Sequence, residues 1–268
     1  MEEMPAGAVA STVEDTQGWL EGICRRTDEI LWGSYRFALG LADAAWPRVM
    51  FPMKGQQRRV SEQEARFAFV TALLADHESS WAFAPEVPTK LSYRFAHRAT
   101  GLTAQRALTD LALYRPGSDA PALAVEFKSG GRSGKSEKDE SIKKDIAKLL
   151  AEEPDALWFH VVRSANNATL QGLLRTLDAA ISQLSNPFKL AEYLARGKTV
   201  KPRAKTIAFH ICVLNPDMTV SVHRTLDYRP GRHEKDFFTI ASTATRASLE
   251  IAGGQGWSVH RRSVADVC

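Results

Sequence analysis

The fold is decided by residues 108–128, which read LTDLALYRPGSDAPALAVEFK. Two short runs rich in apolar residues, 107–114 and 122–128, flank the segment Arg115-Pro116-Gly117-Ser118. Proline and glycine in that order are typical of a tight turn between strands. The sequence therefore predicts an antiparallel hairpin of two strands.

Charged side chains gather on one face of the second strand of this hairpin. Side chains alternate between the two faces of a strand. Leu123, Val125 and Phe127 therefore share an apolar face, which we expect to lie in the core. Glu126 and Lys128 are neighbours on the opposite face, which alanines otherwise keep small. An acid and an amine are thus placed together beside small side chains.

The hairpin register adds a second acid to this face. If the turn is centred near residue 118, the apolar positions of the two strands pair as Leu113 with Leu123 and Leu111 with Val125. The same register places Asp110 opposite Glu126, and directly opposed Cβ atoms lie about 4.5–5.5 Å apart. Two carboxylates at that distance repel each other unless a cation lies between them, and Mg²⁺ is typically held by one or two carboxylates. The register therefore predicts a divalent-metal site, with Lys128 placed to polarise an attacking water or to stabilise phosphate charge.

The rest of the chain predicts helices and strands around the hairpin. Ser61 and Glu64 have the spacing of a capping box, which opens a helix, and the apolar run LWFHVVR at 157–163 is typical of a strand buried on both faces. The predicted helices cover residues 12–31, 35–45, 61–75, 141–152, 169–184 and 187–195, and the further strands cover 91–97, 157–163, 206–214 and 219–224. Residues 54–59 and 130–140 read as polar links, and the C-terminal residues indicate more sheet. This order predicts an α/β fold with a mixed central sheet flanked by helices, in which residues 1–60 form a helical N-terminal extension and 61–268 form the main domain.

Composition and charge exclude several classes of protein. With 268 residues, 44% of them hydrophobic and 25% charged, the chain can bury a core without disulfides or metals, which argues against disorder and against a mini-protein. The formal net charge of +4 fits a polyanionic partner but does not require one, because 35 cations are offset by 31 anions. The N-terminal residues lack the basic start of a secretory signal, and no uncharged apolar run approaches the roughly 20 residues that span a bilayer. We expect a cytoplasmic protein without a membrane partner.

The cysteines and histidines do not form a recognisable motif. Cys24, Cys212 and Cys268 are far apart, and without a CxxC spacing they indicate neither a structural zinc site nor a disulfide framework. Reduced thiols suit a cytoplasmic protein. His160 and His210 lie in apolar strands, and we expect them to be hydrogen-bonded core residues. No GxGxxG, P-loop or serine–histidine–acid arrangement is present in the sequence.

The hairpin motif resembles that of the PD-(D/E)xK nuclease superfamily. The residues that carry the resemblance are Leu108-Thr109-Asp110 on the first strand and Val125-Glu126-Phe127-Lys128 on the second. The core of that family, the restriction-endonuclease-like fold, is a helix, a three-stranded meander, a crossover helix and a fourth strand (αβββαβ), and residues 61–163 follow that order. Thr109 stands where the family commonly has proline, a position that varies within the superfamily. The resemblance implies a nuclease-like domain at 61–268 with extra C-terminal strands.

This resemblance implies a metal-dependent endonuclease that hydrolyses phosphodiester bonds in DNA with Mg²⁺ or Mn²⁺. Asp110 and Glu126 would hold the metal. Glu64 or Glu62 of the first helix would assist, with Glu64 preferred, although a capping role alone would also account for Glu64. Lys128 would position or activate the attacking water. Restriction, phage defence and repair are all compatible with such an activity, and so is a homodimer that cuts both strands.

Basic residues after the motif are candidate contacts to nucleic acid. Lys144 and Lys148 on the crossover helix, and Arg132 and Lys135 in the loop before it, would lie near the substrate backbone. Asp145 is a further polar candidate on that helix. A solvated helix face is the commoner explanation for such lysines, and disorder explains the loop equally well. Two other functions stay open: a catalytically inactive module of the same fold that binds nucleic acid or protein, and a nuclease directed at RNA.

Overall fold

The computed structural model describes residues 13–41, 43–54, 57–76, 80–97, 101–130, 136–195, 203–229 and 257–266. Its helices are α1 (Val13–Ala38), α2 (Glu62–Leu74), α3 (Ser136–Ala151), α4 (Asn167–Leu184) and α5 (Pro187–Ala191), and a 3₁₀ turn covers Val264–Asp266. Its strands are β1 (Met53–Lys54), β2 (Gln57–Arg58), β3 (Ala82–His97), β4 (Gly101–Tyr114), β5 (Leu123–Ser129), β6 (Asp155–Arg163), β7 (Lys205–Leu214), β8 (Met218–Tyr228) and β9 (Trp257–Ser263).

A seven-stranded sheet forms the centre of the fold, with its strands in chain order from β3 to β9. The pairs from β3 to β5 are antiparallel, those from β5 to β7 are parallel, and those from β7 to β9 are again antiparallel. Parallel neighbours need a crossover connection, and α3 provides it between β5 and β6, while α4 and α5 provide it between β6 and β7. The expected α/β fold with a mixed sheet flanked by helices is confirmed.

Separate apolar layers cover the two faces of the sheet. On one face, Ile146 of α3 and Leu173 of α4 pack with Trp158 of β6. On the other face, side chains of α1 and α2 pack against β5 and β6, and the ring of Phe69 stands edge-on to Phe127 at 5.7 Å. β6 is buried along residues 156–162, as expected of its continuous apolar run.

The N-terminal helix departs from the prediction of two helices. α1 runs without a break to Ala38. Trp32 and Tyr35 are buried and continue the apolar stripe across the predicted break. The Ser34 hydroxyl donates to the Ile30 carbonyl at 2.7 Å, a bond within the helix that satisfies this polar side chain. The apolar stripe therefore outweighs the local preference of glycine and serine for a turn.

Smaller departures occur at the ends of other elements. The link at 54–59 contains part of the short β1–β2 ladder, and α3 begins at Ser136, inside the predicted loop. The expected strand at the C-terminus is β9, whereas residues 230–256 lie outside the described ones. His160 and His210 are buried and hydrogen-bonded, which confirms that expectation. Among the helices that the structure describes, none combines the length and apolarity needed to cross a bilayer.

Candidate functional site

The β4–β5 hairpin adopts the register that the sequence predicts. The pairs are Leu111 with Val125, Ala112 with Ala124 and Leu113 with Leu123. In the turn, the Ser118 amide donates to the Arg115 carbonyl at 3.1 Å, and Gly117 has a φ of 75°, which glycine adopts without a steric penalty. The hairpin therefore brings Asp110 beside the segment of β5 that carries Glu126.

Asp110 lies where β4 and β5 separate. The ladder stops at the pair formed by Leu111 and Val125, and beyond it Oδ2 of Asp110 accepts a hydrogen bond of 2.8 Å from the Phe127 amide. Oδ1 lies 3.6 Å from a guanidinium nitrogen of Arg66 on α2. The carboxylate is thus oriented by a backbone amide and by a cation, and its side chain stays 23% exposed.

Glu126 lies beneath α3, with 1% of its surface exposed. The Lys148 ammonium is 2.8 Å from both carboxylate oxygens, but it donates a hydrogen bond to Oε2, and Oε1 has no hydrogen-bond partner among the described residues. Burial raises the pKa of Glu126 to about 8; Lys148 opposes this rise, while the charges of Asp145 and Asp110 add to it. A further cation at Oε1 would therefore favour the ionised form.

Lys128 lies between α2 and α3. Its ammonium is 2.8 Å from Asp145 of α3 and 3.6 Å from Glu62 of α2. Burial lowers the pKa of Lys128, but the charges of Asp145 and Glu62 outweigh burial, and the pKa is raised overall. The side chain is therefore a protonated amine at neutral pH, held by acids from two helices.

Lys148 points into the protein and not toward solvent. Its ammonium contacts Glu126 at 2.8 Å, Asp145 at 2.9 Å and the carbonyl of Leu108 at 3.0 Å. Burial lowers its pKa, but Glu126 and Asp145 reverse that effect and raise it. This residue, which the sequence presents as a candidate contact to nucleic acid, therefore joins the carboxylates of the site in the interior.

The two glutamates at the start of α2 have different surroundings. Glu64 is buried and accepts hydrogen bonds from the Ser61 amide at 2.7 Å and from the Ser61 hydroxyl. The Glu64 backbone amide in turn donates to the Ser61 side chain, which completes the predicted capping box. Glu62 is more exposed and faces Lys128 at 3.6 Å. The helix acid that meets the amine of the motif is therefore Glu62, while Glu64 is bound to the helix cap.

Three further residues were predicted as contacts to nucleic acid. Lys144 is half-buried on α3, and Arg132 and Lys135 lie outside the described residues. Arg66, which bridges Asp110 and Glu86 at 3.6 and 3.4 Å, was not predicted from the sequence. No motif marks it, because its role depends on how α2 packs beside the hairpin.

Together these residues form what we call the acid–base cluster. Its members are the acids Glu62, Asp110, Glu126 and Asp145 and the bases Arg66, Lys128 and Lys148. Carboxylate oxygens are the ligands that Mg²⁺ and Mn²⁺ prefer in proteins. The cluster therefore offers ligands of that kind, and Oε1 of Glu126 accepts no hydrogen bond within the described residues, although the Lys148 ammonium lies 2.8 Å from it.

Comparison with known proteins does not assign the chain to a family. No protein-family model matches the chain, and no curated protein is significantly similar to it. The function is therefore inferred from the acid–base cluster and from the order of the elements that carry it.

Proposed function

We propose that the protein is a metal-dependent nuclease that hydrolyses phosphodiester bonds in DNA, with a restriction-endonuclease-like core of the PD-(D/E)xK type formed by α2 to β6. The order of the core supports this proposal: α2 precedes the antiparallel strands β3, β4 and β5, and α3 connects them to the parallel strand β6. The observation that carries it is that Asp110 of β4 hydrogen-bonds the Phe127 amide, next to Glu126 on β5, close enough for its charge to act on Glu126, with Lys128 two residues further along β5.

The acids of the cluster would provide the ligands for a metal ion. Asp110 and Glu126 would bind Mg²⁺ or Mn²⁺, and Glu62 is better placed than Glu64 to assist, because Glu64 is engaged by the helix cap. When bound, the ion would act as a Lewis acid on the phosphate and would lower the pKa of a bound water. Lys148 keeps Glu126 in place and favours its ionised form through their contact at 2.8 Å.

Lys128 is placed to act on the attacking water or on the phosphate. In hydrolysis, the water oxygen forms a bond to phosphorus, an ester P–O bond breaks, and the departing oxygen takes up a proton. Because the pKa of Lys128 is raised, its amine is protonated and donates hydrogen bonds instead of accepting the proton of the water. Its role is therefore to orient the water and to stabilise the negative charge that develops on phosphate, with Asp145 fixing the ammonium at 2.8 Å.

Basic side chains beyond the cluster would contact the DNA backbone. Lys144 on α3 is the described candidate, and Arg132 and Lys135 precede that helix in the chain. Such contacts position the duplex without reading its sequence. Cys24 and Cys212 form no disulfide, which fits a cytoplasmic location for this activity.

A cleavage assay tests the proposal. Linear, circular and single-stranded DNA and an RNA of equal length are incubated with the full-length protein in Mg²⁺, in Mn²⁺ and in a chelator. The same reactions are run with Lys128→Ala and with the control variant Lys143→Ala. Lys143 is a lysine of α3 that pairs with the exposed Glu140, outside the acid–base cluster.

We expect cutting of DNA that requires the divalent ion, that is lost in Lys128→Ala and that persists in Lys143→Ala. Circular dichroism of each variant separates lost chemistry from lost folding. If the folded wild type binds DNA without cutting it, and Lys128→Ala binds equally well, the protein is a catalytically inactive binding module and not an enzyme. If the protein cuts RNA but not DNA, it is a nuclease directed at RNA.

A further inference from the structure

A group of polar side chains is buried between α1 and the strands β7 and β8, apart from the acid–base cluster. Cys24 and Asp28 are one helical turn apart on α1, His210 lies on β7, and His223 lies on β8. None of them is more than 3% exposed. Burying polar side chains costs free energy unless each of them has a hydrogen-bond partner or binds a ligand. These side chains therefore need either a bound ligand or a complete set of partners.

The two histidines face each other at a distance that suits a shared metal ion. His210 and His223 are directly paired across the β7–β8 ladder, and their Nδ1 atoms are 3.2 Å apart. Two nitrogens bound at about 2.0–2.1 Å to a tetrahedral zinc ion lie roughly 3.3 Å from each other. Sγ of Cys24 completes a triangle, in which the ligand atoms all lie within 4.8 Å of one another. A thiolate and two imidazoles at these separations can converge on one ion.

Asp28 orients the first histidine. Its Oδ2 lies 2.8 Å from Nε2 of His210 and also accepts a hydrogen bond from the Ser221 hydroxyl. When Nε2 donates its proton to a carboxylate, Nδ1 carries the lone pair, which is the arrangement that holds a metal-binding histidine in place. Oδ1 of Asp28 is also buried, and the thiol of Cys212 lies within reach of this carboxylate.

We propose that Cys24, His210 and His223 bind a Zn²⁺ ion, with Asp28 orienting His210. The sulfur and imidazole donors select zinc or a similar borderline transition metal over Mg²⁺ and Ca²⁺. Binding would require the Cys24 thiol to release its proton to solvent, because the thiolate is the form that binds a metal. Because the ligands come from α1 and from two strands of the sheet, the ion ties the N-terminal helix to the sheet.

Metal analysis with matched cysteine variants tests this site. The full-length protein is purified without a histidine tag and without chelators, and its zinc content is measured by mass spectrometry. Zn²⁺ is then exchanged for Co²⁺, whose thiolate charge-transfer band and strong tetrahedral d–d bands report a sulfur ligand. Cys24→Ser is compared with Cys212→Ser, a buried cysteine on β7 that is not among the three ligands.

We expect about one zinc per chain, with both the zinc and the thiolate–cobalt band lost in Cys24→Ser and His223→Gln and retained in Cys212→Ser. If the folded wild type contains no zinc and gives no thiolate–cobalt band, the proposed zinc site is wrong. The polar residues are then explained by a chain of hydrogen bonds from Asp28 through His210 to His223. Loss of the band in Cys212→Ser with its retention in Cys24→Ser also overturns it. This test is independent of the proposed nuclease activity, because Co²⁺ bound by the carboxylates of the acid–base cluster would give no thiolate band.

Discussion

Replacing Lys148 with methionine removes the ammonium that lies 2.8 Å from the buried carboxylate of Glu126. The same change deprives Asp145 of a contact at 2.9 Å and the carbonyl of Leu108 of a hydrogen bond at 3.0 Å. Methionine has a similar length and fills most of the same space, so the main effect is electrostatic. The variant therefore isolates what the ion pair contributes to the stability of the site.

The expected loss follows from the burial of both partners. Removing one member of a buried ion pair costs about 3–5 kcal/mol, because the other charge stays uncompensated. The lost bond to Leu108 adds about 1 kcal/mol, and the extra apolar surface of methionine offsets about 1 kcal/mol. We expect a net loss of about 3–5 kcal/mol in the free energy of unfolding when Glu126 is ionised.

The loss should depend on pH in a defined direction. Burial raises the pKa of Glu126 from 4.5 to about 8, so between these values the native state retains a proton that the unfolded chain has released. The contribution of Glu126 to stability therefore declines as the pH rises through this window. Besides Asp145, Lys148 gains Glu126 as a charged partner only when Glu126 is ionised, so removing Lys148 costs more at about pH 9 than at about pH 6.

Urea denaturation of the wild type, Lys148→Met and the double variant Lys148→Met/Glu126→Gln at both pH values measures these quantities. The double variant should recover at least half of the loss at the higher pH, because no buried charge remains at either position. A loss of less than about 1 kcal/mol at the higher pH, or an equal loss at both, would refute a charged pair in the interior.

Further predictions concern metal binding, the start of α2 and the pH profile. Mg²⁺-dependent cleavage should become faster as the pH rises toward about 8, because the metal needs the ionised form of Glu126, whose pKa burial raises; a flat initial rate below that pH would contradict this. Glu62→Gln should slow cleavage more than Glu64→Gln, while Glu64→Gln should lower the melting temperature more, and the reverse order would assign the metal role to Glu64. Ser61→Ala should cost about 1 kcal/mol in urea denaturation through loss of the cap, whereas the exposed Ser141→Ala should leave stability unchanged.

The hairpin that carries the site could be predicted from sequence because its determinants are local. The proline and glycine of the turn, and the alternation of small and large side chains on β5, fix which residues meet. Those features give the pairing of Leu111 with Val125 that the structure contains. The covered strand β6 and the capping box of α2 follow from equally short patterns.

The rest of the acid–base cluster depends on contacts between elements that are distant in the sequence. Lys128 meets Asp145 because α3 crosses over β5, and a run of lysines on a helix does not reveal which of them turns inward. Lys148 is buried, although its sequence surroundings resemble a solvated face. The choice between Glu62 and Glu64 depends on which carboxylate the Ser61 amide binds, and both occupy the first turn.

The proposed zinc site is an extreme case of the same difficulty. Asp28 and His210 are 182 positions apart in the chain, and no spacing rule connects them. The apolar surroundings of His210 correctly predict burial but give no information on its partners. Such a group becomes visible only when the packing of α1 on β7 and β8 is known.

Single-turnover cleavage of a DNA duplex in Mg²⁺ by the wild type, Asp110→Asn and Asp119→Asn tests the proposed nuclease site most directly. Asparagine at 110 can still accept the hydrogen bond from the Phe127 amide, so the hairpin is kept while the charge is lost. Asp119 is an exposed aspartate in the turn of the same hairpin and serves as the control. We predict that the wild type and Asp119→Asn cut at equal rates and that Asp110→Asn is slower by about 100-fold or more. Equal rates for Asp110→Asn and the wild type, or no cutting by the folded wild type in either Mg²⁺ or Mn²⁺, would contradict the proposed metal site.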